Sequence, residues 1–508
     1  MTINPILKTD YPDPDIIRVN ETYYMISTTM YYMPGGVILR SYDLINWEIA
    51  SYIFDSLDNT PNERLEGNNN SYGKGMWAAS LRYNNGKFYV AFVSHGMDKT
   101  HIYISDNING PWEHKLINLY MHDCSLLFDN DRVYSIYGNT DIHLVELNDD
   151  LTDIKENGIN KVIIKDNKDA VNLGYEGSHF YKINDKYIIT LIHWPKKSGR
   201  RTESVFICDT IDGNYTGYDV TDDDLGFHNM GIAQGGLVDT VNGDWYSILF
   251  RDNGAVGRIP VLVPVSIKDN KIVFGDNGKI PSNPKTISTN PDYQYTPLFT
   301  SDDFNYDSLN PSLKPQWQWN HVPQNNLWYI KDKTLNIKTG KLSPNPILAQ
   351  NTLTQRAIYP GCQATVTIDA TKLNNGDTAG LIALQGQFCM IGLLKEDDTL
   401  YLVQLERKET PHSFEIGSKD IMPAEIAFKE EYNDTKLTVK MIFDFEDMKD
   451  TADCFIKQDN EWRKIGDTHK LKFGLDFFTG TRFGLCIYSQ KNTGGEAGFS
   501  DFKLTTNI

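Results

Sequence analysis

Five stretches of this chain repeat one pattern, and a pattern repeated five times restricts the fold more than composition can. Each runs from a polar or small residue through a short apolar run and a polar turn to an aromatic pair or its variant. They are DPDIIRVNETYYMIS, AASLRYNNGKFYVAF, DCSLLFDNDRVYSIY, EGSHFYKINDKYIIT and GGLVDTVNGDWYSIL. Asn20-Glu21, Asn84-Asn85-Gly86, Asn130-Asp131, Asn184-Asp185 and Asn242-Gly243 supply the turns, so each stretch reads as a β-hairpin. Several are followed by a second hairpin, closed by Trp47, Trp112 and Tyr215. Four strands per unit, recurring at roughly 45 to 65 residues, mark propeller blades, because one such sheet cannot bury both faces without neighbours. Five blades fit the chain up to about Phe274.

Beyond that point the texture changes. DNGKIPSNPKTISTNPDYQYTPLFTSDDF is rich in Pro, Ser, Thr and Asn and lacks strand alternation, which predicts an extended linker lying over a surface. Alternating strands then return in LWYIKDKTLNIKT, GCQATVTIDATKL, GLIALQGQFCMIGLLK, TLYLVQLERK, KLTVKMIFDF and RFGLCIYSQ. The blade repeat is gone, and about ten strands over the remainder predict a β-sandwich. The reading is an all-β chain: a five-bladed propeller over 1–296, with the linker 276–296, and a sandwich over 297–508.

The net charge of −18 argues against nucleic acid or an anionic membrane as partner, since both need basic patches. It fits a neutral substrate, and equally fits solubility alone. The start, MTINPILKTDYPDPD, lacks a basic stretch followed by an apolar core, so neither signal peptide nor transmembrane span is read and a cytoplasmic location is expected. The six cysteines, Cys124, Cys208, Cys362, Cys389, Cys454 and Cys486, are scattered without CxxC spacing and read as reduced, mostly buried thiols. Assembly into a homo-oligomer is left open.

Aligned on Tyr24, Tyr89, Tyr134, Tyr187 and Tyr246, the repeats carry Asp13, Ala78, Asp123, Glu176 and Gly235 in one column. Three of these five are acids. Equivalent points of blades around one axis converge, and converging carboxylates are what hydrolysis of a glycosidic bond needs. Acids are common enough here that the column alone does not decide. Each segment also reads as an ordinary turn or strand start. In Asp10-Tyr11-Pro12-Asp13-Pro14-Asp15, two prolines stiffen the backbone around Asp13. His122-Asp123-Cys124-Ser125 places an acid ahead of an apolar run. In Gly174-Tyr175-Glu176-Gly177-Ser178 the glycines leave Glu176 room to project into a cavity. Trp77, one residue before the column, offers an apolar face to a sugar ring or to the core. Arg258 would balance the acids, or form a surface ion pair.

These motifs resemble glycoside hydrolase family 43, the inverting β-xylosidases and α-L-arabinofuranosidases. The likeness runs through YPDPDIIRV, YYMIST with MPGGVILRSYDLINWE, WAASLRYNNGKFYV, HDCSLLF, GYEGSHFYKINDKYI, IAQGGLVDT with GDWY, and VGRIPVLVPV. The resemblance implies a five-bladed propeller and, in two-domain members, a concanavalin-like jelly-roll sandwich whose loop closes the pocket for exo action. It implies Asp13 as general base, Glu176 as general acid and Asp123 as the residue that tunes and orients Glu176. It implies Trp77, Arg258 and Gln234 as substrate-binding residues. Many members carry a calcium-linked histidine near the axis, and here Gln234 takes that place with His228 nearby. No cofactor is required for the chemistry, and a structural calcium at Gln234 or His228 is left open.

The mechanism implied is inversion. Asp13, ionised, takes a proton from water, and Glu176, protonated, gives one to the departing oxygen, with the carboxyls about 6.5–9.5 Å apart to admit the water. Burial and Asp123 are expected to keep Glu176 protonated, and solvent access and Arg258 to keep Asp13 ionised. The product expected is terminal xylose, arabinofuranose or both, from xylo-oligosaccharides or arabinosylated hemicellulose. Two alternatives stand beside this one. A retaining fructosidase-type propeller would show Asn-Asp-Pro, Arg-Asp-Pro and Glu-Cys where this chain has Pro-Asp-Pro, His-Asp-Cys and Tyr-Glu-Gly. A non-catalytic carbohydrate-binding propeller would typically have lost one of the three acids.

Overall fold

The computed structural model describes residues 2–268, 271–409 and 421–506. Residues 1, 269–270, 410–420 and 507–508, which the sequence-based domain ranges include, lie outside it. The first part is a propeller of five antiparallel sheets. The blades begin with the strands Asp15–Val19, Ser80–Asn84, Ser125–Asp129 and Val171–Ile183, and with the short pair Ile232–Ala233 and Leu237–Asp239. Four strands make each of the first four blades, and the fifth splits its innermost strand in two. The hairpin turns fall where Asn, Asp and Gly predict them, with Asn20, Asn85, Asn130, Asn184 and Gly243 all at positive φ, which these residues tolerate best.

Side-chain alternation explains why blades stack. Successive residues of a strand point to opposite faces. In Thr22–Ser27, Tyr23 and Met25 pack with Val238, Ile248 and Leu262 of the fifth blade, while Ile26 packs with Leu81, Val90 and Phe92 of the second. The second blade turns Ala91 toward Leu126 and Val145 of the third, and the third turns Ile136 and Leu144 toward Phe180 and Ile189 of the fourth. Ile188 and Val205 of the fourth then meet Leu249 and Val261 of the fifth. Each inner strand is thus apolar on both faces, and burying each large side chain contributes about 1.5–3 kcal/mol. The ring is closed by the amino-terminal strap. Asn4 exchanges hydrogen bonds with the Leu262 backbone (2.8 and 2.9 Å), Ile6 N donates to Pro260 O and Tyr11 N to Arg258 O.

The second part is a concanavalin-like sandwich of an eight-stranded and a seven-stranded sheet. Leu381, Ile391, Val439 and Phe443 lie in the core between them. Six of its own strands were not picked out by sequence alternation: Gln318–Asn320, Leu353–Arg356, Glu425–Tyr432, Thr451–Gln458, Glu461–Lys470 and Glu496–Thr505. Glu425–Tyr432 and Glu461–Lys470 are the outermost strands of the two sheets and carry polar residues on both faces, so they leave no alternation to read. One strand of the eight belongs to the propeller. Tyr32–Met33, looping out of the first blade, pairs with Gln318–Asn320. Beneath this pairing Tyr31, Tyr32 and Tyr72 pack with Leu384, Phe388 and Phe477. The six cysteines are free and all but Cys208 are buried. The linker crosses the first blade, where Thr289 N donates to Tyr42 O and Thr296 N to Glu48 Oε2.

Candidate active site

A second column lies two residues beyond the acids and builds the propeller axis. Asp15, Ser80 and Ser125 each accept a hydrogen bond from the next blade: from Leu81 N at 2.7 Å, Leu126 N at 3.1 Å and Phe180 N at 2.9 Å. Arg82 fills the centre. Its guanidinium donates to Asp15 Oδ2 at 2.6 Å, to Ser125 Oγ at 2.7 Å and to Leu126 O at 2.8 Å. His179 Nδ1 lies 3.0 Å from Asp15 Oδ1. Burial works against charge on Asp15, but Arg82 and His179 outweigh it and hold the carboxyl below its usual range. Removing one partner of such a buried group costs about 3–5 kcal/mol. Repeat alignment could have shown this column, and Arg82 stands out as the charged residue inside SLRYN. The axis is therefore a rigid, charge-balanced plug under the site.

Above the plug the backbone turns sharply. Asp13 and Asp123 both adopt left-handed conformations, with φ of 51° and 48°. This region costs a non-glycine residue energy that functional sites commonly retain. In the fourth blade the turn falls one residue later, at Gly177 with φ 62°. A Cβ there would come within 2.7 Å of the Gln234 side chain, so glycine is required. Glu176 accordingly sits inside the long strand Val171–Ile183, between two register shifts, rather than at a strand opening. At Gly235 in the fifth blade a Cβ would meet Ile248 O at 1.7 Å.

Asp13 is held at both oxygens. Arg258 Nη1 donates to Oδ1 at 2.7 Å and Thr28 Oγ1 to Oδ2 at 2.8 Å. Its residual exposure is 6%, so solvent access does not keep it ionised as the sequence suggested. Burial, with the nearby Asp123 and Asp10 charges, raises its pKa, and Arg258 and Thr28 oppose that rise. Asp10 organises the surroundings: it accepts from Arg258 N at 2.7 Å and from Gly480 N of the sandwich at 2.9 Å. The three aspartates of DYPDPD thus have three separate tasks.

Asp123 accepts from Gly177 N at 3.0 Å, next to Glu176 in the chain. Burial raises the Asp123 pKa, His122 lowers it and Glu176 raises it again. Glu176 Oε2 accepts from Asn139 Nδ2 and lies 3.5 Å from His122 Nε2, which is 3.8 Å from Asp123 Oδ2. Burial would lower His122, but Asp123, Glu176 and Asp13 together raise it to about 9. Neither His122 nor Asn139 was assigned a role from the sequence.

Aromatic and cationic groups enclose the acids. The Trp77 ring centre lies 3.9 Å from that of His95, 5.8 Å from His122 and 5.3 Å from Phe478, which the sandwich contributes. Phe478 also covers the Arg258 guanidinium at 4.7 Å. Arg201, missed in the sequence, pairs with Asp252. Burial and Arg258 lower its pKa to about 10, against the opposing pull of Glu176 and Asp13. Arg201, Arg258 and Phe478 line a domain-junction cavity of ≈ 460 Å³.

The remaining two predicted residues are placed differently. Gln234 is buried against Gly177, and its N–H donates to Glu203 Oε2 at 2.6 Å. His228 is half-exposed and lies 2.6 Å from Asp447 of the sandwich, away from the plug. Burial raises the Glu203 pKa to about 8, against the hydrogen bonds from the Gln234 backbone and Thr190. Asp15 is committed to Arg82 and His179 and His228 to Asp447, so a calcium at the axis would draw on the remaining donors of Gln234 and Glu203. Among the described residues, His122, Asp123 and Glu176 bring three ligand-type atoms within 4.8 Å of one another. That group is the set of acids and its histidine partner.

Fold and site define a propeller hydrolase with an accessory sandwich. Residues 2–272 match the model for glycosyl hydrolases family 43, and residues 301–505 match the β-xylosidase C-terminal concanavalin A-like domain. The chain belongs to glycosyl hydrolase family 43 and is a glycoside hydrolase. It is 28% identical to a β-xylosidase of Formosa agariphila over 97% of this chain and 88% of that one. It is 32% identical to a non-reducing end α-L-arabinofuranosidase of Bacteroides ovatus over 37% of this chain and 35% of that one. A solved structure described as a bifunctional GH43-CE protein of Bacteroides eggerthii superposes with a TM-score of 0.91 at 36% identity, covering 99% of this chain and 64% of that one. This chain therefore spans about two thirds of that structure's length. The fructosidase-type and non-catalytic alternatives find no support in these matches.

Proposed function

We propose that the enzyme releases terminal xylose or arabinofuranose from short hemicellulose-derived oligosaccharides, with inversion at the anomeric carbon. The observation that carries this reading is the division of the three acids into two unlike environments. Asp13 is clamped by a guanidinium and a hydroxyl, which favour its ionised form as general base. Glu176, beside Asp123 and His122 and hydrogen-bonded by Asn139, serves as general acid. Asp123 acts through the Gly177 hydrogen bond and its own charge to orient Glu176 and to favour its protonated form. Trp77 and Phe478 offer apolar faces to the sugar, Arg258 offers donors, and the sandwich loop narrows the site to one chain end. The β-xylosidase and arabinofuranosidase names of the relatives support both pentoses. No step needs a metal.

Product analysis tests the sugar. Incubation with xylobiose and with arabinosylated xylo-oligosaccharides should release free xylose, arabinose or both, one residue at a time from the non-reducing end. Release of internal fragments, or of neither pentose, would refute the reading.

A further inference from the structure

The histidine ahead of Asp123 has no task in the mechanism above, yet its position is unlike that of a packing residue. His122 Nε2 stands between two carboxylates, 3.5 Å from Glu176 Oε2 and 3.8 Å from Asp123 Oδ2. Its ring is walled by Trp77 at 5.8 Å and His95 at 6.4 Å between centres. The groups that face it are Asp123 on its own strand entry, Glu176 of the fourth blade, Asp13 of the first and His95 beyond the second blade's inner hairpin. Three of these four are acids. Burial, His122 itself and Lys74 lower His95 to about 4, so His95 is neutral at working pH and adds no competing charge. Asn139 Nδ2 donates to the same oxygen of Glu176 that His122 approaches, and its own amide oxygen accepts from Thr140 Oγ1 at 2.9 Å, which fixes its orientation. A carboxyl oxygen that meets two donors is set up as an acceptor.

We propose that His122 is a positioning residue that holds, in the free enzyme, the proton that Glu176 gives to the departing oxygen. The inference rests on the reading of Glu176 as general acid. When sugar fills the pocket and displaces water, the ion pair loses solvent support and the proton passes from Nε2 to Oε2. The N–H bond breaks and an O–H bond forms, so imidazolium and carboxylate become imidazole and carboxylic acid, with no change in net charge. The acid then transfers that proton to the glycosidic oxygen as the bond to the anomeric carbon breaks. His122 recovers a proton from solvent, and the proton that Asp13 took from water returns to solvent. The gap of 3.5 Å is at the long end for a hydrogen bond, as is common before substrate tightens an active site. The His122–Glu176 contact, not either residue alone, therefore sets the alkaline limb of activity.

This makes a prediction with a definite sign. An imidazole between carboxylates keeps a proton to higher pH than a carboxyl beside a carboxylate can. In His122→Asn, Glu176 must hold its own proton next to Asp123, so the alkaline limb of kcat/KM should move down by about one pH unit or more. If His122 were instead a fixed cation beside an already protonated Glu176, losing its positive charge would make Glu176 harder to ionise, and the limb would move up. A limb that stays put or moves up overturns the proposal. His122→Gln serves as the second variant. In the wild type, nitrogen NMR of the imidazole should show both nitrogens protonated at pH 7 without substrate, and a neutral ring there would overturn the proposal even if both variants failed to fold. Glu176→Ala, assayed on substrates with good and poor leaving groups, separates the two ideas. No leaving-group dependence in Glu176→Ala refutes Glu176 as the acid, whereas dependence with an unmoved limb in His122→Asn refutes only the role of His122.

Discussion

Asp13→Ala is expected to lower kcat by on the order of 10²–10⁴-fold on every substrate, whatever its leaving group. Water must lose a proton as it attacks, and that need does not change when the departing group improves. Asp13 is fixed by Arg258 at 2.7 Å and Thr28 at 2.8 Å on a left-handed backbone. The variant leaves the Asp15–Arg82 plug intact but takes the carboxylate partner from the buried Arg258 guanidinium, at a cost of about 3–5 kcal/mol, so its fold is verified by circular dichroism alongside the kinetics. The acidic limb of the wild-type profile should lie above the ordinary aspartate range. Burial and the Asp123 charge raise the Asp13 pKa, and a base is lost as pH falls through its own pKa. Steady-state kinetics on xylobiose and on nitrophenyl glycosides between acid and neutral pH would check both statements.

Glu176→Ala should behave differently. A sugar alkoxide leaves poorly without a proton, so activity on xylobiose should fall by on the order of 10²–10⁴-fold. A nitrophenolate leaves well unaided, and activity on the aryl glycoside should fall by far less. The contrast between substrates is the signature, and equal losses on both would remove Glu176 from the role of acid. Asp123 should not show that contrast in the same form. It reaches Glu176 through Gly177 N and shares His122 with it, so Asp123→Asn should alter both the plateau and the alkaline limb.

Much of this architecture is legible in the sequence because propellers repeat. Hairpin turns such as Asn130-Asp131 and strands such as LLF recur at the same phase, and the fold makes equal phase into equal position. Asp13, Asp123 and Glu176 were visible for that reason. What the repeat hides is the partner of each acid. Arg258 is close to Asp13 only because the amino-terminal strap lies along the fifth blade, and Phe478 reaches Arg258 from the other domain. Arg201 and Asn139 sit on loops between strands, where the pattern carries no phase information. His122 lies directly beside the acid column, but nothing in HDCSLLF tells that its ring would meet Glu176 from the neighbouring blade. The polar strands Glu425–Tyr432 and Glu461–Lys470 escaped notice because outermost strands need no apolar face.

The account depends most on inversion, since Asp13 and Glu176 can act as base and acid on opposite faces only if water attacks the anomeric carbon directly. Proton NMR during the first turnovers on a nitrophenyl β-xyloside, which releases a single xylose, reads this directly, before mutarotation mixes the anomers. The released xylose should appear first as the α-anomer. First-formed β-xylose would mean a covalent intermediate on one of the carboxylates, and would contradict the assignment of Asp13 as a base acting through water.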